Sequence, residues 1–359
     1  LRVLYLTFDD LSRPFAWTVH VRSIINRLVA LGHAVRLVAP GGTAPGIDAP
    51  CEPIPPGRLQ HLFGSLETFV NAGRAFGPDV VYVRGIHLTR TPAKAAERLG
   101  RPLVVELNGL LENELRGWLR RAAVRASHRF TLGRAARVVT VSPLLRQALA
   151  DRYGYPPERV DVVPNGADVA LFRPGDREEA RRRLGLPGDR PIVLCVASFY
   201  PHHALEVLLQ AASASGARLV LVGAQGPVPE GVVSTGPVPH ERVPEYVQAS
   251  DVCVFTFRAP DPRLGCSPMK LYEYMAGGRP VVVATDMDET RRFVEEHGIG
   301  VAVDLDPGAL ASALAKLLAD SEARDRMGRR GRELAESTYN WDRAAGQVAE
   351  SLRKAVSGP

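Results

Sequence analysis

Residues 265–284 read GCSPMKLYEYMAGGRPVVVA. The stretch predicts a loop, a short helix and a buried strand in succession. Ser267 suits a helix N-cap, and Pro268 suits the first helical position, where no amide proton is needed. Gly277 and Gly278 can close the helix in a left-handed turn. Pro280 blocks continuation, and residues 281–284 form an apolar run fit for a parallel strand. A helix start carries free N–H groups that attract anions, phosphate above all. Lys270 lies in the first turn and Glu273 one turn later. A cation and a carboxylate beside an anion site suit a sugar nucleotide, with the lysine at phosphate and the glutamate at ribose hydroxyls. The same signals also describe an ordinary capped helix of an α/β domain.

The rest of the chain repeats this alternation. Residues 3–8 read as a strand, 19–31 as an amphipathic helix and 35–38 as a second strand, which makes a βαβ unit. Further strands are expected at 79–83, 103–107, 137–141 and 160–163, with Ser142 starting a helix that runs to 153. After the PNGAD of residues 164–168 and a polar connector, a second series begins. Its strands are expected at 192–196, 218–222, 252–255, 281–283 and 300–303. Helices fall between them, and three more follow, the last beginning near the TYNW of residues 338–341. Two doubly wound α/β domains result, 1–170 and 171–340, followed by a terminal helix. Such domains bind ligands at the carboxyl ends of their strands. The dehydrogenase fingerprint G-x-G-x-x-G and the P-loop are both absent.

A chain of 359 residues with 45% hydrophobic and 23% charged residues has the composition of a soluble protein with room for two such domains. No apolar run is long enough to span a bilayer. LRVLYLTFDD at the start reads as a first strand rather than a leader, so a cytoplasmic location is expected. The four cysteines show no metal or disulfide spacing. Residues 1–175 carry 23 Lys+Arg against 14 Asp+Glu, and the remainder 22 against 25. A basic first half suits phosphate or an anionic membrane. Only 4 of the 45 basic residues are lysine, which singles out Lys270.

Taken in order, these segments resemble the retaining GT-B glycosyltransferases of family 4. The resemblance is carried by GHAV (32–35), RVVTVSPLLRQAL (137–149), RVDVVPNGADVALFRP (159–174), ARLVLVGAQG (217–226), ASDVCVFTF (249–257), SPMKLYEYMAGGRPVV (267–282) and the late YNW (339–341). It implies two Rossmann-like domains facing a cleft, with a terminal helix, about residues 341–359, crossing back to the first. The second would hold a nucleotide-diphosphate sugar and the first a hydroxyl acceptor, which could be a glycan, a lipid-linked molecule or a small molecule. It implies no cofactor and no metal. Glu273 matches the second glutamate of the family's Glu-x7-Glu motif, which binds ribose. The first glutamate is replaced by Gly265, as in a subgroup with an SPxKLxEYMA signature. The loop of Gly265, Cys266, Ser267, Pro268 and Met269, together with Lys270, would then do more of the diphosphate binding.

Two other positions depart from the family. In ASFYPHHA (197–204), Ser198 stands where an arginine is usual and His203 falls near the usual lysine. His203 would meet phosphate or make a helix-start hydrogen bond. In VVELNG (104–109), Asn108 stands where a donor-contacting histidine is usual. Asparagine can hydrogen-bond a sugar hydroxyl but does not titrate. The nearby Glu106 would be structural, bind an acceptor hydroxyl or, buried with a raised pKa, act as a base. Trp17 would shape an acceptor pocket or pack in the core.

Residues 116–137 carry seven arginines, Arg116, Arg120, Arg121, Arg125, Arg129, Arg134 and Arg137. Arg121, Arg125 and Arg129 share a helical face, and Trp118 and Leu119 add apolar surface. Such a helix could sit on an anionic membrane or simply be solvated. No nucleic-acid motif accompanies the charge. Two D-x-D sequences, Asp286–Asp288 and Asp304–Asp306, read as loops rather than metal ligands. Retaining sugar transfer is the expected activity; the glutamate missing at position 265 and the histidine missing at position 108 leave open a sugar-nucleotide-binding protein without turnover.

Overall fold

The computed structural model describes residues 1–13, 15–42, 44–54, 65–86, 88–113, 115, 117–197, 201–261 and 265–358. The chain divides into two compact units, Leu1–Pro164 with Trp341–Pro359, and Asn165–Asn340. The sequence places the boundary at 170, but it falls within the PNGAD loop, after Pro164. Ala167 bridges to Asn340, and its N–H donates to Tyr339 O at 3.0 Å. A Cβ on Gly166 would stand 2.4 Å from the Asn340 backbone, so only glycine permits this approach.

The first unit contains β1 (Arg2–Thr7), α1 (Ala16–Ala30), β2 (Ala34–Pro40), β3 (Cys51–Ile54), α2 (Ser65–Phe76) and β4 (Val80–Arg84). It continues through α3 (Thr91–Leu99), β5 (Leu103–Leu107), α4 (Trp118–Leu132), β6 (Ala135–Thr140), α5 (Pro143–Tyr153) and β7 (Val160–Val162). The strands form one parallel sheet in the order β3-β2-β1-β4-β5-β6-β7. Valine-rich β4 and β5 are covered on both faces, which is why they read as continuous apolar runs. Ser142 caps α5 by accepting from Leu145 N–H, and Gly154 ends it in the left-handed region. Such a cap contributes about 1 kcal/mol.

The second unit contains α6 (Arg177–Leu184), β8 (Ile192–Val196), α7 (Leu205–Ser215), β9 (Arg218–Val222), β10 (Val233–Ser234), α8 (Val243–Ala249) and β11 (Val252–Phe257). Then come α9 (Met269–Ala276), β12 (Val281–Thr285), α10 (Asp288–Glu296), β13 (Gly300–Val303), α11 (Pro307–Ala319) and α12 (Ser321–Ser337). Its parallel sheet has the order β10-β9-β8-β11-β12-β13. Asp251, just before β11, is buried and accepts from Ile192 N–H at 2.7 Å, Arg181 at 2.6 Å and Arg177 at 2.8 Å. The Asp of the ASDV segment is therefore a structural tie between α6 and the sheet.

The last helix, α13 (Trp341–Ser357), packs in the first unit. Trp341 is buried against His20 of α1, the rings 5.3 Å apart edge to face. Ser351 donates to Asp161 at 2.7 Å, and Arg27 to Asp342 at 2.7 Å.

Candidate functional site

Both sheets change winding direction once, between β1 and β4 and between β8 and β11. Crevices open at such points beyond the carboxyl ends of the strands. In the second unit β8 and β11 pair only at Val193–Val252 and Leu194–Cys253 and then part. The Val196 N–H, free of β11, donates to the Tyr274 hydroxyl of α9 at 2.8 Å. That bond seats α9 over the point where the strands separate. The helix ends as a Schellman turn: Arg279 N–H meets Tyr274 O and Gly278 N–H meets Met275 O, with Gly278 at φ +69°. The left-handed residue is Gly278 alone, because Gly277 keeps helical angles.

Lys270, on the second residue of α9, stands with its ammonium 5.7 Å from the centre of the Phe255 ring of β11. It makes no hydrogen bond or ion pair with any described residue. Burial pushes its pKa down, and the nearby Cys195, Glu273 and Cys266 side chains only partly oppose this. A half-buried ammonium without a counter-ion is unfavourable in the empty protein and favours an arriving anion.

The helix start differs from the expected form. Pro268 is the N-cap, with φ −72° and ψ 113°, and no side chain caps the helix. The Ser267 hydroxyl accepts instead from Asn165 N–H at 2.8 Å and lies 3.0 Å from the Tyr272 hydroxyl. The Asn165 amide donates to Ser267 O at 2.6 Å. Ser267 thus ties the SPMK turn to the PNGAD loop, and its hydroxyl is already engaged. The N–H groups of Met269 and Lys270 begin the helix. Gly265 has φ +62°, a conformation that a glutamate there would adopt only with strain. Cys266 packs with its Sγ 3.4 Å from Met287 Sδ, and burial raises its thiol to about 12, so it stays protonated.

Glu273 is buried, and its Oε1 lies 2.7 Å from Nε2 of His240. The sequence offers no sign of this pairing, since 33 residues separate the two and His240 sits in a short turn before α8. His203 ends a single 3-10 turn, Pro201–His203, with its ring centre 6.4 Å from that of Phe257. The next residue, Ala204, has φ +45°, the one non-glycine positive φ among the described residues. Ser198 lies outside the described residues.

In the first unit, Glu106 at the end of β5 is buried beneath a convergence of donors. Tyr82 OH donates at 2.6 Å, Asn108 Nδ2 at 2.9 Å, His20 Nε2 stands at 2.8 Å and Arg84 Nε at 3.5 Å. Arg84 also pairs with Asp9. Burial alone would raise the Glu106 pKa, but His20, Arg84 and Tyr82 outweigh it and hold the carboxyl at about 2. A base with a raised pKa, one of the readings the sequence left open, is therefore corrected: Glu106 is a fixed anion. Asn108 turns its amide nitrogen to this carboxylate, so its oxygen, which has no partner among the described residues, faces away as an acceptor. A small recess adjoins them, bounded by His20, Tyr82, Asn108, Val163 and Trp341. Trp17 donates to Asp10 O at 3.2 Å and packs on Phe15.

The arginine-rich segment is less uniform than its sequence. Trp118 and Leu119 are 75% and 64% exposed at the start of α4, and Arg120, Arg121, Arg125 and Arg129 are exposed along it. Arg134 is engaged by Glu97 and stacked on Phe130, while Arg137 lies on β6 and holds Asp161 through two bonds. These two drop out of the basic face, and Arg116 lies outside the described residues. His128 anchors α4 from below, fully buried 3.0 Å from Glu112. Of the D-x-D aspartates, Asp306 caps α11 and Asp286 accepts from Ala259 N–H, so both have structural duties. No helix among the described residues is long and apolar enough to cross a membrane.

Residues 18–171 match the family model described as Glycosyltransferase Family 4, and residues 176–334 match Glycosyl transferases group 1. A D-inositol 3-phosphate glycosyltransferase of Acidothermus cellulolyticus is 29% identical, over 89% of this chain and 78% of its own length. A GDP-mannose-dependent alpha-(1-6)-phosphatidylinositol monomannoside mannosyltransferase of Mycobacterium tuberculosis is 30% identical, over 66% of each. Several other relatives are matched over little more than half of their length. Among solved structures, Anabaena Alr3699/HepE in complex with UDP-glucose superposes with a TM-score of 0.78 at 20% identity, covering 98% of this chain and 99% of that one. At this identity the likeness is one of fold. The two domain matches together take in most of the chain, which belongs to the GT-B glycosyltransferases, a family 4 region followed by a group 1 region.

Proposed function

We propose that this protein moves a sugar from a nucleoside-diphosphate sugar to a hydroxyl acceptor, with retention at the anomeric carbon. The observation that carries the reading is the Lys270 ammonium, half-buried and without a counter-ion among the described residues beside a helix start. A diphosphate supplies the missing charge. Glu273, on the same helical face, has one oxygen engaged by His240 and the other open to a ribose hydroxyl. The loop of Gly265, Cys266, Ser267, Pro268 and Met269 contributes shape and main-chain N–H groups, with His203 as a further phosphate contact. Asn108 is assigned a sugar hydroxyl, which its oriented amide oxygen can accept.

The transition state has oxocarbenium character. The bond from the anomeric carbon to the diphosphate breaks while a bond to the acceptor oxygen forms on the same face. The acceptor proton passes to the departing diphosphate, so no side chain need act as base. The protein supplies positioning and charge stabilisation, and the reading requires neither metal nor cofactor. The exposed α4 face with Trp118, Leu119 and four arginines is assigned a reversible contact with an anionic cytoplasmic membrane surface, which suits a lipid-linked acceptor.

The named relatives use or bind GDP-mannose and UDP-glucose, so UDP- and GDP-sugars are the first donors to try. Incubation with these and a panel of polyol, glycan and lipid acceptors should release nucleoside diphosphate in step with an α-linked product. Binding without release across the panel would favour a sugar-nucleotide-binding role, for which Gly265 in place of a carboxylate is the specific argument. An inverted product would overturn retention.

A further inference from the structure

His240 has no place in the reading so far. It opens the 3-10 turn His240–Arg242 ahead of α8 and is mostly enclosed, its side chain 16% exposed. Its ring lies 5.4 Å from that of Phe172, and its Nε2 stands 2.7 Å from Glu273 Oε1. Phe172 is fully buried in the core of the second unit, so the imidazole rests on a rigid platform. Glu273 Oε2 receives no hydrogen bond from any described residue. One carboxylate oxygen is thus held by protein and its twin is left available.

We propose that His240 is a positioning residue for the donor site: it fixes the Glu273 carboxylate in the one orientation that offers Oε2 to a ligand diol. The inference rests on the reading of Glu273 as the ribose contact. The physical ground is preorganisation. A glutamate side chain has three rotatable bonds, and a ligand that must immobilise it loses affinity to that ordering. A hydrogen bond from Nε2–H to Oε1 makes the ordering in advance, and it leaves only one oxygen to recognise hydroxyls. The class of ligand feature selected is a vicinal diol donating to a single carboxylate oxygen. His240 touches no reacting atom, so it acts on binding and not on bond making.

The test is calorimetric titration of the full chain with UDP, GDP and ADP, comparing wild type with His240→Ala, His240→Phe, His240→Gln, Glu273→Gln and the double variant His240→Ala/Glu273→Gln. Far-UV circular dichroism and melting curves check that each is folded. For the nucleotide that binds best, His240→Ala should weaken binding about tenfold. His240→Phe keeps the packing on Phe172 without a donor and should weaken it as much. His240→Gln restores an N–H at the same reach and should bring affinity back to within about threefold. The double variant should bind no more weakly than Glu273→Gln alone, because His240 acts through that carboxylate. Full affinity in His240→Phe, no rescue by His240→Gln, or additive losses in the double variant would overturn the proposal while the Glu273 reading stands. Unchanged affinity in Glu273→Gln would instead remove the Glu273 reading and this inference with it. A wild type that binds none of the three nucleotides would do the same.

Discussion

The two domains share one architecture and differ in how they treat charge at the carboxyl ends of their strands. In the first, Glu106 is surrounded by His20, Tyr82, Asn108 and Arg84, and Arg84 is in turn matched by Asp9. The charges of this network are matched within it. In the second, Lys270 has no hydrogen-bonding or anionic partner among the described residues and Glu273 has one oxygen in use. A satisfied network stabilises the fold and orients neighbours such as Asn108. A half-buried cation without a counter-ion costs stability, and a bound anion would offset that cost. In the proposed reading, the same crevice position serves rigidity in one half and binding in the other.

The contrast can be broken most directly at Glu106. Glu106→Ala should destabilise the first domain by about 3–5 kcal/mol, since it strands several buried donors. A denaturant melt that shows less than 1 kcal/mol would mean the network is not cohesive. The opposite behaviour is expected at Lys270. Lys270→Met should reduce nucleoside-diphosphate affinity by about a hundredfold, or about 2.7 kcal/mol, and leave the ligand-free protein as stable as wild type or more so. A loss of stability in the empty protein would show that Lys270 has a structural partner after all.

Acid sharpens the comparison. The Glu106 carboxyl is depressed from 4.5 to about 2 in the folded state. Its contribution is then complete above the unfolded value near 4.5 and disappears as pH falls toward 2, since the proton binds the unfolded chain first. The stability gap between wild type and Glu106→Gln should be about 2–3 kcal/mol near neutrality and close progressively below pH 4.5. A gap that persists unchanged at pH 2.5 would assign it to packing. The smallest effect is expected at Gly265. Gly265→Glu restores the side chain that relatives carry but imposes a Cβ at φ +62°, at a cost of about 1 kcal/mol. Improved donor affinity despite that cost would show that the missing carboxylate still has a site to fill.

Much of the fold was legible because burial on both faces forces long apolar runs, and the central strands all follow from theirs. The runs fail for β3 and β10. Both are short edge strands, CEPI and VS, whose pairing is decided by the neighbour and not by their own pattern. The placement of Lys270 and Glu273 one turn apart on α9 was readable from the sequence. Ser267 was readable as a cap and proved to be a tie to Asn165, 102 residues away in sequence. A cap is a local inference, and this bond is not local. His203 and Ser198 came from position in a motif, and Glu106 was placed correctly but given several possible charge states.

By itself the sequence determined the two doubly wound domains, the placement of a cation and a carboxylate on one face of α9, and the terminal helix, because each depends on residue spacing within a few turns. Only the tertiary structure decided that Lys270 lacks a counter-ion among the described residues, that Glu273 is paired with His240 and that Glu106 is a fixed anion. Those are sums over neighbours brought together from distant parts of the chain. Electrostatics in a protein interior depends on what surrounds a group, and no spacing along the sequence encodes that.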